Sequence, residues 1–215
     1  MNKLSVVILC TNAIKGTKSL GSIGLLKLNK SKNILDYHIH NVRSCWPDAE
    51  ISTIISDKDY KFIRYAKGDK DLTVVDYCLD EMSNESESFL RSINKNNINN
   101  NFLVLDISCI LDKNIFKKIS SYDTSQSYII ANTHVDYCSK LGCIVDIEEN
   151  TVNNIFFDLP NKILKYYYIC NNDVKHMLGN NVCRSKFLFE NLNDLNRPIN
   201  LNSIRSKKCI NITCI

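Results

Sequence analysis

The chain has 215 residues, a formal net charge of +4 and 44% apolar residues, enough for one sizeable α/β core and too apolar for wholesale disorder. The basicity is local: Lys3, Lys15, Lys18, Lys27, Lys30 and Lys32 all precede the first acid, Asp36, which argues against a nucleic-acid-binding face with Lys and Arg spread across it. The ten cysteines contain no Cys-x-x-Cys pair, no signal peptide opens the chain and no apolar run reaches membrane-spanning length, so the expectation is a reduced, cytoplasmic protein with no membrane partner.

Leu4 to Cys10 is an unbroken apolar run and reads as a buried strand. The segment after it holds Gly16, Gly21 and Gly24, half of the six glycines of the chain. Glycine allows backbone N–H groups to approach an anion closely, and lysine supplies the countercharge, so a strand ending in such a loop is a place for phosphates. Leu35, Ile39 and Val42 then recur at helical spacing, with Asn33 as N-cap, Asp36 in the first turn and Pro47 as the stop. Ile51 to Ile55 reads as a buried strand. Asp57 is placed to cap a short helix through Tyr60, Phe62, Ile63 and Ala66, ended by Gly68. Leu72 to Tyr77 is strand-like, and Asn84 with Glu87 resembles a capping box before Phe89, Leu90 and Ile93. An Asn-rich linker, Asn94 to Asn101, leads into Phe102 to Ile107, the strongest central strand. Asp112 caps a helix carrying Ile115, Phe116 and Ile119.

Strand and helix thus alternate over the first 120 residues, which implies a mostly parallel sheet with helices on both faces. The second half reads differently. Tyr128 to Ala131 is a strand, and Cys143 to Ile147 with Val152 to Phe157 flank a hairpin turn at Glu149-Asn150-Thr151. Tyr166 to Cys170 is a further strand, with alternating half-buried positions. Helices follow around Val174 to Leu178 and Lys186 to Leu192, and a last strand spans Cys209 to Cys214.

This order of elements resembles the nucleotidyltransferases that make nucleotide-activated sugars or alcohols on a glycosyltransferase A-type fold. Ile8 to Gly21 is similar to their first strand and glycine-rich signature loop, with one extra residue. Leu25 to Asn29 and Ile34 to Tyr37 look like the segment leading into the first helix, and Val104-Leu105-Asp106 looks like the strand end that carries a metal-binding aspartate. The resemblance implies a Rossmann-like α/β fold in a single domain over 1–215, with a nucleotide-binding half (1–120) and an acceptor-binding half (121–215) that carries the hairpin. It implies transfer of a nucleotidyl group from an NTP to a sugar phosphate or small alcohol phosphate, with Mg²⁺ and release of pyrophosphate. Thr11, Asn12, Gly16 and Thr17 would bind the nucleotide, Lys18 and Lys27 would act as the catalytic cations, and Asp106 would hold the metal.

The chain also departs from that pattern. Lys18 stands where an arginine is usual, which keeps charge but loses the bidentate fork. Ile23 and Gly24 replace a Pro-Lys pair, and the last strand has no second acid. An alternative therefore stands beside the enzyme: a catalytically inactive module of the same fold that binds a nucleotide, a protein partner or a second copy of itself. A glycosyltransferase ranks lower, because Asp106-Ile107-Ser108 lacks the Asp-x-Asp pair. His38 and His40, two apart on a helix, point to different sides and do not share a metal. For Asp106, a strand-end aspartate capping a local turn stands level with metal binding, because the partner acid is missing.

Overall fold

The computed structural model describes residues 3–10, 22–77, 88–89, 92–93, 98–132, 143–148, 151–157, 162–179, 201–206 and 209–211. The first apolar run forms β1 (Leu4–Cys10), whose five central residues are buried, as expected for a strand covered on both faces. β2 (Glu50–Ser56) and β4 (Asn101–Asp106) flank it in parallel, and β3 (Leu72–Tyr77) extends the sheet beyond β2. The remaining strands of this sheet are β6 (Ser127–Asn132), β7 (Cys143–Glu148), β8 (Thr151–Phe157), β9 (Lys162–Ile169) and β10 (Leu201–Ser206). The nine strands run in the order β3-β2-β1-β4-β9-β6-β10-β8-β7. β9 and β8 run against the other strands, so the sheet is mixed and mostly parallel.

Helices cover both faces. On one lie α1 (Ile34–Cys45), α2 (Tyr60–Ala66) and α3 (Lys113–Ser120), whose Leu35, Val42, Phe62, Phe116 and Ile119 join Val6, Ile8, Leu103 and Leu105 in one core cluster. On the other, Phe89 meets Phe102 edge to face at 5.5 Å, and α4 (Asn171–Gly179) buries Val174 and Met177. The starts of these helices follow from the residues before them. Asn33 and Asp36 form a reciprocal capping box on α1: the Asn33 side chain accepts from the Asp36 amide at 2.8 Å, and the Asp36 carboxylate accepts from the Asn33 amide at 3.0 Å. Asp112 caps α3 through the Asn114 amide.

Three local expectations need correction. The cap of α2 is Asp59, whose carboxylate accepts from the Phe62 amide, and not Asp57; a capping side chain serves an amide two or three residues further on, and the helix begins at Tyr60. Tyr166, Tyr167 and Tyr168 do not alternate between core and solvent. All three are buried, because β9 lies between β4 and β6 with both faces covered. The described part of the last strand, β11 (Cys209–Asn211), lies outside the large sheet and pairs with the short β5 (Cys109–Leu111). Neither β5 nor β10 stands out in the sequence pattern. The expected capping box at Asn84 and Glu87 and the helix at 186–192 lie outside the described residues.

At the rim where β4 and β6 begin, a buried polar knot ties the sheet to α4. The Asn101 side chain donates to the Tyr168 hydroxyl at 2.9 Å and to the Thr124 carbonyl at 3.2 Å, and accepts from the Asn171 amide at 2.9 Å. Beside it the Ser127 hydroxyl donates to Asp173 and accepts from the Cys170 amide. This rim is structural, and the groups that could do chemistry sit at the opposite end of the strands.

Candidate functional site

In a parallel sheet, ligands gather beyond the carboxyl ends of the strands, where the connections to the helices begin. Here β1 and β4 are direct neighbours, with Leu9 opposite Asp106 and the Ile107 amide donating to the Leu9 carbonyl at 3.0 Å. β1 therefore ends beside Asp106. Thr11, Asn12, Gly16, Thr17 and Lys18 lie outside the described residues. Lys27 is described: its side chain is exposed, its backbone bridges Asn33, and no hydrogen bond or ion pair joins it to Asp106 among the described residues.

Asp106 is only 1% exposed. Its Oδ1 accepts from the Ser108 amide at 2.8 Å and from the Ser108 hydroxyl at 2.6 Å, so the carboxylate holds the turn that follows β4, in the manner of an Asx turn. The Asp106 carboxylate is one of two that flank the end of β1. Asp59 lies on the other side, at the start of α2, where it receives both the Phe62 amide and the Ser22 hydroxyl. Cys10, the last residue of β1, feels both: burial pushes its thiol well above the usual range, and the charges of Asp106 and Asp59 push it further. Such a thiol stays protonated and is no nucleophile. Ser22 and Asp59 were not foreseen. A polar residue 37 positions from its partner leaves no periodic trace, and Asp59 is legible only as a helix cap.

Beneath Asp106 lies a buried aromatic network. The Tyr166 hydroxyl donates to the Cys109 carbonyl, so it accepts from His38 Nδ1 at 3.2 Å, and this fixes the tautomer of a fully buried imidazole. Loss of water lowers the His38 pKa from 6.5 to about 4, against the opposing pull of the Ile107 carbonyl and the Asp106 charge. His38 is thus neutral in the fold and protonates more readily when unfolded. Stability is full above about pH 6.5 and falls as pH drops toward about 4, by roughly 3 kcal/mol from this group. Urea unfolding midpoints measured across that window should fall steeply for the wild type and less steeply for His38→Gln. Parallel curves would remove His38 as the cause.

Among the described residues no group of three or more His, Cys, Asp or Glu is placed to hold a metal ion. A buried carboxylate such as Asp106 suits Mg²⁺ that arrives with a triphosphate, because Mg²⁺ keeps most of its shell as water and phosphate oxygens. It does not suit a cation held by protein alone. A groove between α1 and α2, lined by Leu35, Ile39, Arg64, Tyr65 and Leu72, does not include Asp106. No helix among the described residues is long and apolar enough to cross a membrane.

No protein-family model matches this sequence, and no curated protein matches it. Solved structures do match over nearly the whole chain. One is a Bacillus anthracis protein described as a glucose-1-phosphate thymidylyltransferase (TM-score 0.77, 10% identity, 98% of this chain and 90% of that one). Another is the inositol-1-phosphate CTP transferase of T. maritima (TM-score 0.72, 11% identity, 98% and 88%). A third is the CTP:phosphocholine cytidylyltransferase of Streptococcus pneumoniae (TM-score 0.74, 13% identity, 99% and 95%). The chain has the α/β nucleotidyltransferase fold of these sugar-phosphate and alcohol-phosphate enzymes. At such identities the shared property is the fold.

Proposed function

We propose that this protein is a Mg²⁺-dependent nucleotidyltransferase that moves a nucleotidyl group from an NTP to a sugar phosphate or small alcohol phosphate. The observation that carries the reading is the pairing of Leu9 with Asp106, because it brings the root of the glycine- and lysine-bearing connection beside a buried carboxylate. Support comes also from the common fold of three solved structures whose descriptions name phosphorylated sugars or alcohols as acceptors, or transfer from CTP.

In this reading, backbone amides at Thr11, Asn12, Gly16 and Thr17 hold the phosphates, and the ammonium groups of Lys18 and Lys27 offset their charge. Mg²⁺ entering with the NTP would be held at Asp106 and would supply further neutralisation at the phosphates. The acceptor's phosphate oxygen attacks the α-phosphorus in line. The bond from that phosphorus to the oxygen bridging to the β-phosphate breaks, and pyrophosphate departs with the electron pair. No protein nucleophile is required, in keeping with a Cys10 thiol held protonated. The free thiols of Cys10, Cys45, Cys109 and Cys170 support work in a reducing compartment, the cytoplasm.

One observation favours a second reading, a catalytically silent module that binds nucleotide. Oδ1 of Asp106 already serves the turn at Ser108. A single assay separates the two: the protein incubated with each NTP, Mg²⁺ and a panel of sugar phosphates and alcohol phosphates, with pyrophosphate as the readout and calorimetry in parallel. Turnover supports the transferase. Binding without pyrophosphate supports the silent module, and neither result leaves only the fold.

A further inference from the structure

An exposed lysine on a connecting segment, as Lys27 is, needs its backbone held if its ammonium is to meet a triphosphate. The segment around it is fastened at both ends. On the near side, Ser22 begins a short 3-10 turn, Ile23–Leu25, closed by Leu25 N to Ser22 O and Leu26 N to Ile23 O, each 3.0 Å. A serine in that position ordinarily caps its own turn with its hydroxyl. Here it makes no such bond, and the hydroxyl instead donates across the fold to Asp59. The same carboxylate accepts from the Phe62 amide at 3.3 Å, so one side chain grips both the first turn of α2 and the start of the segment. Gly24 lies against the Phe62 ring so closely that there is no space for a Cβ.

On the far side, Lys27 bridges Asn33, Leu28 N donates to Lys32 O at 3.0 Å and Ile34 N donates to Leu26 O at 3.1 Å. Asn33 belongs to the α1 capping box, and its partner Asp36 also accepts from the Tyr65 hydroxyl at 2.7 Å. Both ends of the segment are thus tied to α2. A backbone fixed from two directions has already lost the freedom that ligand binding would otherwise remove from it, which leaves only the side chain of Lys27 to be ordered.

We propose that Ser22 and Asp59 are positioning residues: their hydrogen bond anchors the turn that precedes Lys27 and so sets where its ammonium meets the phosphates of the nucleotide. This rests on the nucleotidyltransferase reading for the ligand, though not for the anchor itself.

The test is a double-mutant cycle with Ser22→Ala and Lys27→Ala, read by calorimetry with Mg²⁺ and inorganic tripolyphosphate, which reports phosphate binding without any base. Loss of a charge-assisted hydrogen bond corresponds to about a tenfold rise in Kd for Ser22→Ala. That rise should vanish in the Lys27→Ala background, because contacting residues couple and independent ones add. Ser22→Thr should restore the wild-type value. Amide exchange at residues 22–28 should quicken in Ser22→Ala while α2, still capped by Asp59, keeps its protection.

Unchanged exchange at 22–28 overturns the anchor. Quickened exchange with an unchanged Kd, or with additive effects of the two substitutions, overturns the positioning role. If the wild type binds no tripolyphosphate and no Mg²⁺·NTP, the nucleotidyltransferase reading and the positioning role both fail, and the exchange result still decides whether the anchor exists.

Discussion

Asp106→Asn is expected to reduce nucleotidyl transfer by at least about 100-fold and to leave the melting temperature nearly unchanged. The asparagine keeps an oxygen where Oδ1 receives the amide and hydroxyl of Ser108, so the turn after β4 survives while the negative charge is gone. Asp106→Ala should behave differently. It strips a 1%-exposed serine of its acceptor, and a buried donor left without a partner costs about 1–3 kcal/mol. The two variants therefore separate the charge of this side chain from its structural duty. Comparing pyrophosphate release with thermal unfolding in both decides the matter. Full turnover in Asp106→Asn would leave this carboxylate with only the turn to hold, and would remove it as the metal-holding group of the transferase.

Gly24→Ala is expected to destabilise the fold by about 1–3 kcal/mol, the range for overpacking a well-filled core. A Cβ at this position would meet Phe62 Cζ at 2.1 Å and the two Cε atoms at 2.7 and 2.8 Å. The ring cannot swing away freely, because Phe62 is 2% exposed within the core cluster formed with α1 and the sheet. For a chain of this size the shift in melting temperature is roughly 2–4 °C per kcal/mol. The clash should be relieved in part by adding Phe62→Leu, so that the double variant is more stable than the sum of the two losses predicts. Strict additivity would show that Gly24 and Phe62 do not press on each other in the fold.

What was legible in the sequence was local. Asn33 and Asp36 announce the start of α1 because a capping box is written within four residues, and Asp112 does the same for α3. The apolar runs of β1 and β4 were visible because a strand buried on both faces needs no alternation. What escaped depended on partners far along the chain. Nothing in Tyr166-Tyr167-Tyr168 tells that the strand runs between β4 and β6 and buries every ring. The polar string Leu201-Asn202-Ser203-Ile204-Arg205-Ser206 becomes β10 only by pairing with β6 and β8. Near the candidate site, Asp106 was legible at the end of its strand. Asp59 was masked by Asp57 two residues earlier, and Ser22 carries no mark of a partner 37 residues away.

The insertion of β9 between β4 and β6 also sets an order of events on the ribosome. β1, β2, β3 and β4 can assemble as soon as residue 106 has emerged, but the free edge of β4 then offers Phe102, Leu103, Val104 and Leu105 with no neighbour until Tyr166 to Ile169 arrive. Pairings of such long sequence separation form slowly, and an apolar edge that waits is an invitation to other nascent chains. The period between synthesis of the fourth strand and the ninth is therefore when this edge is most open to mispairing.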